Sequence, residues 1–464
     1  MSDNGYKKNS LSLTDAVSMG TGVMIGAGIF ALTGQIAEIS GALFPYVFLA
    51  AAVVAGFSAY SYVKLADAYP SAGGIGMFLV KAYGKGLAAA VFALMMAFSM
   101  VINESLVART FGTYALQPFD VGSAESWLVP ALGVGVLLFA FGINLSGNNV
   151  IGKFSLATAI VKIGGVLLFA VAALWVAGNF FEPFVIEQPP EGGVLGFVAA
   201  TALGVLAYKG FTTITNSGEE IKDPRKNIGR AIVISLGICT VVYLLVALAV
   251  GANLNIEEII RARDFALAEA ARPALGQWGL WFTVAIAIAA TTAGLIASTF
   301  AVSRMLAMLT DMDLIPETDL GLPGSTQQQT LLYVVVAAIT LTIFLDLSRI
   351  ASLGAILYLI MDIAIHWGVL KHLQEKVEAN NAVVITAIVL DVIAVGAFCI
   401  HKFRTDPLIL GIAAAMLVLL FLGERWFLSH HDPEATETDS EENDSQENQQ
   451  PQNDAKKNEY ASSR

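Results

Sequence analysis

The sequence predicts an all-α integral membrane protein with about twelve transmembrane helices, and three observations carry that reading. Hydrophobic residues fill 56% of the 464 positions and charged residues only 14%, with a mean hydropathy of +0.68; an ordinary soluble domain is far more polar. About twelve apolar segments are long enough to cross a hydrocarbon core of about 30 Å. The first and sixth of these carry interior glycines, and the sixth also a lysine, as helices do that are irregular at membrane depth.

A polar head, residues 1–12, holds Lys7 and Lys8 and leads into the first apolar segment, 13–37. That segment is too long for a signal-peptide core and has no small-residue cleavage site after it, so it is expected to stay on the mature protein. Gly20, Gly22, Gly26 and Gly28 lie in its middle, and each interior glycine weakens a helix by about 0.5–1 kcal/mol relative to alanine. Two readings fit: a break over residues 25–29 whose freed N–H and C=O groups face a cavity, or small residues that let neighbouring helices approach closely. Further spans follow near 43–68, 86–116, 128–146, 151–178, 193–215, 230–251, 278–309, 330–346, 349–370, 382–402 and 406–428. Between the seventh and eighth, Arg261, Arg263 and Arg272 alternate with Glu257, Glu258, Asp264 and Glu269, a pattern for a helical loop lying on the bundle. The tail 430–464 holds ten acidic and three basic residues, so it carries most of the net charge of −12. Its lack of apolar residues predicts disorder. Three units result: a cytoplasmic N-terminal segment 1–12, a transmembrane domain 13–429 and an acidic cytoplasmic tail 430–464.

Basic residues set the orientation. With the N-terminus cytoplasmic, Lys7, Lys8, Lys81, Lys85, Lys153, Lys222, Arg225, Lys226, Arg304, Lys371 and Lys376 fall on the inner side, and the early outer loops hold acids alone. An even number of spans puts both termini in the cytoplasm, in a multi-pass protein of the cell membrane. The two cysteines, Cys239 and Cys399, lie in apolar spans and argue against disulfides and thiolate metal sites.

The sixth span, 193–215, contains Gly204 and Gly210 and holds Lys209 near membrane depth, where an unpaired charge costs at least about 2.5–3.5 kcal/mol. The irregular first and sixth spans occupy corresponding places in two five-helix halves, the pattern of an inverted-repeat secondary transporter.

These segments also carry a resemblance. Gly22-Val-Met-Ile-Gly-Ala-Gly-Ile-Phe30 resembles the G-x-x-[IV]-G-x-G-I-F signature of the amino acid-polyamine-organocation superfamily. Leu206-Ala-Tyr-Lys-Gly-Phe211 with Glu219-Glu220-Ile-Lys-Asp-Pro224-Arg-Lys-Asn-Ile228 resembles its F-A-Y-x-G-F … E-E-x-x-x-P-x-x-x-I run. Ser303-Arg304 with Asp311-Met-Asp-Leu-Ile-Pro316 resembles the close of its eighth helix. The resemblance spans residues 10 to 425 and implies a leucine-transporter-like fold: a 5+5 inverted repeat with discontinuous helices 1 and 6, two appended helices, and substrate bound between helices 1 and 6. N–H groups at Gly26, Ala27 and Gly28 would suit a carboxylate, and carbonyls near Met24, Ile25, Leu206, Ala207 and Lys209 an ammonium, so backbone alone would recognise an amino acid.

Lys162 lies about two and a half turns beyond Lys153 in the fifth span, too deep to snorkel. Proton-coupled members of the similar family carry a lysine at this place, where its ammonium stands in for a sodium ion; carbonyls around Thr21-Gly22 and the hydroxyls of Thr291 and Thr292 are its expected partners. A structural pairing is the other reading. Glu104 faces the substrate, pairs with Lys209, or pairs with Arg109. Asp362 and His366, four apart, share a helix face and either bond each other or line water; two ligands are too few for a metal site. Gly73-Gly74-Ile-Gly76 lacks the Lys-Ser/Thr of a phosphate loop, and no nucleophile-elbow, zinc-protease or kinase motif is present.

The expected function is thus not enzymatic: a permease moving amino acids by proton symport, with the bilayer, protons and substrate as partners and no nucleic acid, metal or cofactor. An amino acid/polyamine exchanger of the same fold is the alternative. A channel lacks a visible ring of pore charges or a filter, and a sensor lacks a large folded cytoplasmic domain.

Overall fold

The computed structural model describes residues 9–70, 74–119, 126–146, 148–178, 192–312, 314–315 and 326–430. The head through Lys8, the loop acids of 120–125 and 182–191, Gly73, Asp313, Pro316, the tail 431–464 and the Ala27 side chain lie outside them. The described residues are almost wholly helical, with one isolated β-bridge among them.

The first span is α1 (Leu13–Val23), a π-helical turn (Met24–Ile29) and α2 (Phe30–Ser40). Ser12 and Asp15 close a capping box at its start, satisfying two of the N–H groups that a helix leaves orphaned. Gly41, at φ 58°, turns the chain into α3 (Phe44–Ala68). A short helix that the sequence reading did not separate, α4 (Ile75–Tyr83), leads to α5 (Leu87–Leu116). Its start is pinned by Asn216, whose Oδ1 accepts from the Ile75 N–H at 3.2 Å. Then come α6 (Leu128–Leu145), α7 (Asn148–Ala177) and the sixth span, in which α8 (Gly193–Tyr208) passes through a 3₁₀ turn (Lys209–Phe211) into α9 (Thr212–Thr215). The rest is α10 (Pro224–Asn253), α11 (Ile256–Arg261), α12 (Ala266–Asp311), α13 (Thr326–Phe344), α14 (Leu347–Gly368), α15 (Gln374–Val377), α16 (Asn381–Thr405) and α17 (Pro407–Leu428).

Two of these differ in extent from the expected spans. The seventh and eighth are longer than 230–251 and 278–309 because α10 begins at Pro224 and α12 at Ala266. Gly276, at φ 64°, bends α12, so that residues 266–275 form an arm and the span begins beyond it. Together with α11 this arm is the helical loop expected there. Counted this way, twelve crossings bring Asn9 and His430 to one face of the bundle.

The outside of the bundle is apolar. α17 exposes Leu419 and Trp426 while burying only a few of its residues. All six tryptophans sit near span ends: Trp127, Trp175, Trp278 and Trp281 at the face opposite the termini, Trp367 and Trp426 at the terminal face. That is where an amphipathic indole is most stable in a bilayer. Inside, α10 packs on α3 and α7, α12 on α5 and α7, and α14 on α5 and α16.

Candidate functional site

The two irregular turns touch. A Cβ on Gly210 would fall 2.6 Å from the Met24 backbone nitrogen, and one on Gly28 would come within 2.9 Å of Ala207 and overlap the Tyr243 hydroxyl. Gly26 lies against α12, where a Cβ would meet the Ala290 carbonyl at 2.8 Å. The glycines therefore act through close packing, and the first span keeps a widened turn where an open gap was the other reading. In hydrocarbon, backbone groups must find partners within the protein or a cavity. Three of the carbonyls expected to be free are engaged in the same way. Leu206 O accepts from the Lys209 N–H, Ala207 O from the Tyr243 hydroxyl at 3.0 Å, and Lys209 O from Thr212 Oγ1 at 2.9 Å. Ile25 is wholly buried.

A small cavity lies between the first, third, sixth and eighth spans, lined by Val23, Asn103, Leu206, Ala207, Lys209, Thr212, Thr213 and Ser298 among others. Asn103, Thr213 and Ser298 escaped the sequence reading because no spacing links α5, α9 and α12. Lys209, buried, donates from Nζ to Ser99 Oγ at 2.6 Å and lies 5.2 Å from the Tyr358 ring centroid. Glu104 is fully buried, within electrostatic reach of Lys209, and its carboxylate has no hydrogen bond among the described residues. Arg109 is not its partner: that guanidinium donates to the Thr342 carbonyl at 2.8 Å and to that of Leu345.

Lys162 is 1% exposed and about 21 Å along α7 from Asn148 at 1.5 Å per residue. Its Nζ rests on the first span, where a Cβ on Gly22 would lie only 2.7 Å away. Thr291 donates to the Ala287 carbonyl of its own helix at 2.6 Å, leaving its lone pairs to accept, and Thr292 is half-buried.

Both ends of this region are latched. At the terminal face Arg304 pairs with Glu220, joining two of the three sequence motifs. There Leu11 bridges Ile221, with Leu11 N–H donating to Glu220 O at 2.8 Å. At the opposite face Arg263 pairs with Glu38, and Gln35 Nε2 donates to Asp264 Oδ1 at 2.6 Å. Burial pushes the Asp264 carboxyl above the usual carboxylate range, against the pull of Arg263 and Gln35.

Asp362 and His366 share a face as expected, and α16 adds a residue the sequence reading missed, Asp391. A lone acid in an otherwise apolar span was the signal for it.

Comparison with known proteins agrees with this architecture. The family model described as amino acid permease matches residues 11–422. The inner membrane transport protein YbaT of Escherichia coli (strain K12) is 30% identical over 400 residues, covering 85% of this chain and 90% of that protein. Cationic amino acid transporter 4, vacuolar, of Arabidopsis thaliana is 28% identical over 75% of this chain and 60% of its own length. The branched-chain amino acid permease BcaP of Lactococcus lactis subsp. cremoris is 27% identical over 51% of this chain and 55% of its own.

Proposed function

This chain belongs to the amino acid permease family, and from that premise we propose that it carries amino acids across the cell membrane by proton symport, with Lys162 as the coupling residue. Both termini face the cytoplasm. The substrate occupies the cavity between the first, third, sixth and eighth spans, with Val23 and Asn103 on one side and Leu206, Ala207 and Lys209 on the other. The observation that carries the coupling is the place of Lys162: buried in α7 with its ammonium against Gly22, in the turn just before the π-helical segment. A proton there adds a positive charge beside the first span, and its loss removes one. The proton load and the shape of the substrate site are thereby linked through one short stretch of backbone, as coupling requires.

Lys209 and Glu104 oppose each other electrostatically, so the cavity is close to neutral and suits small neutral amino acids better than lysine or arginine. The test is uptake of labelled alanine into proteoliposomes in sodium-free buffer, with and without an inward proton gradient. The gradient should drive accumulation and a protonophore should abolish it. A strict sodium requirement, or uptake only into vesicles preloaded with amino acid, contradicts symport; the second outcome identifies an exchanger.

A further inference from the structure

Beyond Lys209 and Tyr358, a sealed polar cluster joins three spans. Asp362 and His366 come from α14, Asp391 from α16, and Ser58, Ser61 and Tyr62 from α3; all six are 0% exposed. His366 Nε2 stands 3.6 Å from Asp362 Oδ2 and 3.4 Å from Asp391 Oδ2, longer than the usual 2.7–3.2 Å of an N–H···O bond. One ligand atom from each of the three residues falls within 4.8 Å of the others. His366 Nε2 and both Asp391 oxygens have no hydrogen bond among the described residues.

We propose that Asp362, His366 and Asp391 form a divalent-cation site of the zinc class. Four ligands at 2.0–2.2 Å around a tetrahedral ion sit about 3.3–3.6 Å from one another, which is the spacing of the imidazole nitrogen to both carboxylates. The outer contacts fit as well, since a ligating histidine and carboxylate are held by hydrogen bonds on their far sides. His366 Nδ1 lies 2.9 Å from Ser61 Oγ. Asp362 accepts from Ser58 Oγ and from the Tyr62 hydroxyl, each at 2.6 Å. With Nδ1–H given to Ser61, Nε2 turns a lone pair toward two carboxylates, and a cation between them makes that arrangement favourable. Its two positive charges match the two negative ones. Tyr358, one turn before Asp362 on the same face of α14, or a water, completes the fourth position. The donor set of nitrogen and oxygen without sulfur suits Zn²⁺ or Mn²⁺. The ion staples α3, α14 and α16, and through Tyr62, which packs edge-on against Phe211 at 5.2 Å, it backs the irregular turn of the sixth span.

The test is metal content of the full, tag-free chain purified from cells grown with added Zn²⁺ or Mn²⁺. About one equivalent per chain should survive dialysis, and stripping it with a chelator should lower the thermal-unfolding midpoint, which the returned ion restores. Asp391→Asn should lose the metal, whereas Asp391→Cys, a competent ligand, should keep Zn²⁺. A wild-type chain that is metal-free after both growths overturns the proposal, because protons alone then neutralise the cluster. Equal metal in Asp391→Asn and wild type overturns it too, as an adventitious ion only. If Asp391→Asn does not fold, the wild-type content and its chelator response decide.

Discussion

Two lysines are buried at membrane depth near the first span, and their surroundings differ in kind. Lys209 is held on every side: its ammonium bonds Ser99, lies near the Tyr358 ring, and has Glu104 and Asp362 within electrostatic reach. Lys162 lies against the backbone at Gly22, and its titratable neighbour among the described residues is the neutral thiol of Cys239. A charge paired with the Glu104 carboxylate is part of the framework, and removing either member strands the other. A charge with only neutral neighbours is held in place by dipoles, and removing it strands no opposite charge. On the proposed function, the same residue type serves fixed binding in one place and coupling in the other.

The comparison is tested most severely at Lys162. Lys162→Ala should reduce gradient-driven accumulation of alanine by more than about tenfold, while equilibrium binding stays within a few-fold; unchanged accumulation returns Lys162 to a structural role. Stability should separate the two sites next. Glu104→Gln leaves Lys209 without its acid and should destabilise the protein by about 1–3 kcal/mol, most of it recovered in Glu104→Gln/Lys209→Met. Lys162→Met, which strands no carboxylate, should cost less than about 1 kcal/mol. Unfolding midpoints in detergent measure both, and equal losses at the two lysines remove the distinction.

Two smaller effects sharpen it. Gly22→Ala puts a methyl 2.7 Å from Lys162 Nζ and displaces the ammonium; the ratio of accumulation to binding should fall several-fold with substrate preference unchanged. Lys209→Met should do the reverse, leaving the response to a pH gradient in place and shifting competition from neutral toward cationic amino acids by a few-fold. Should arginine compete best in the unaltered protein, with Lys209→Met making no difference, Lys209 does not shape the site.

Much of this was legible in one sequence, because the bilayer imposes long apolar helices and makes every interior glycine or charge conspicuous. The spans, the irregular turns and both lysines came from that contrast. What the sequence concealed were contacts between helices distant along the chain: Asp391 beside His366, Arg304 beside Glu220, and Tyr243 on the Ala207 carbonyl. Periodicity places residues on a face of one helix and is silent on which helix that face meets. It also left two readings open in the first span, whose irregular segment is Met24–Ile29. Glycines permit a gap and close packing alike, and only the neighbours at Gly26 and Gly28 distinguish them.

The central claim, that the proton carried with substrate is the one on Lys162, is tested most directly by proton flux. Vesicles containing the protein and a trapped pH indicator, in sodium-free buffer without a preset gradient, receive external alanine. The interior should acidify on addition to wild type, and should not in Lys162→Ala although that variant still binds alanine. Acidification of equal size in both, or none in wild type while alanine enters, contradicts the account.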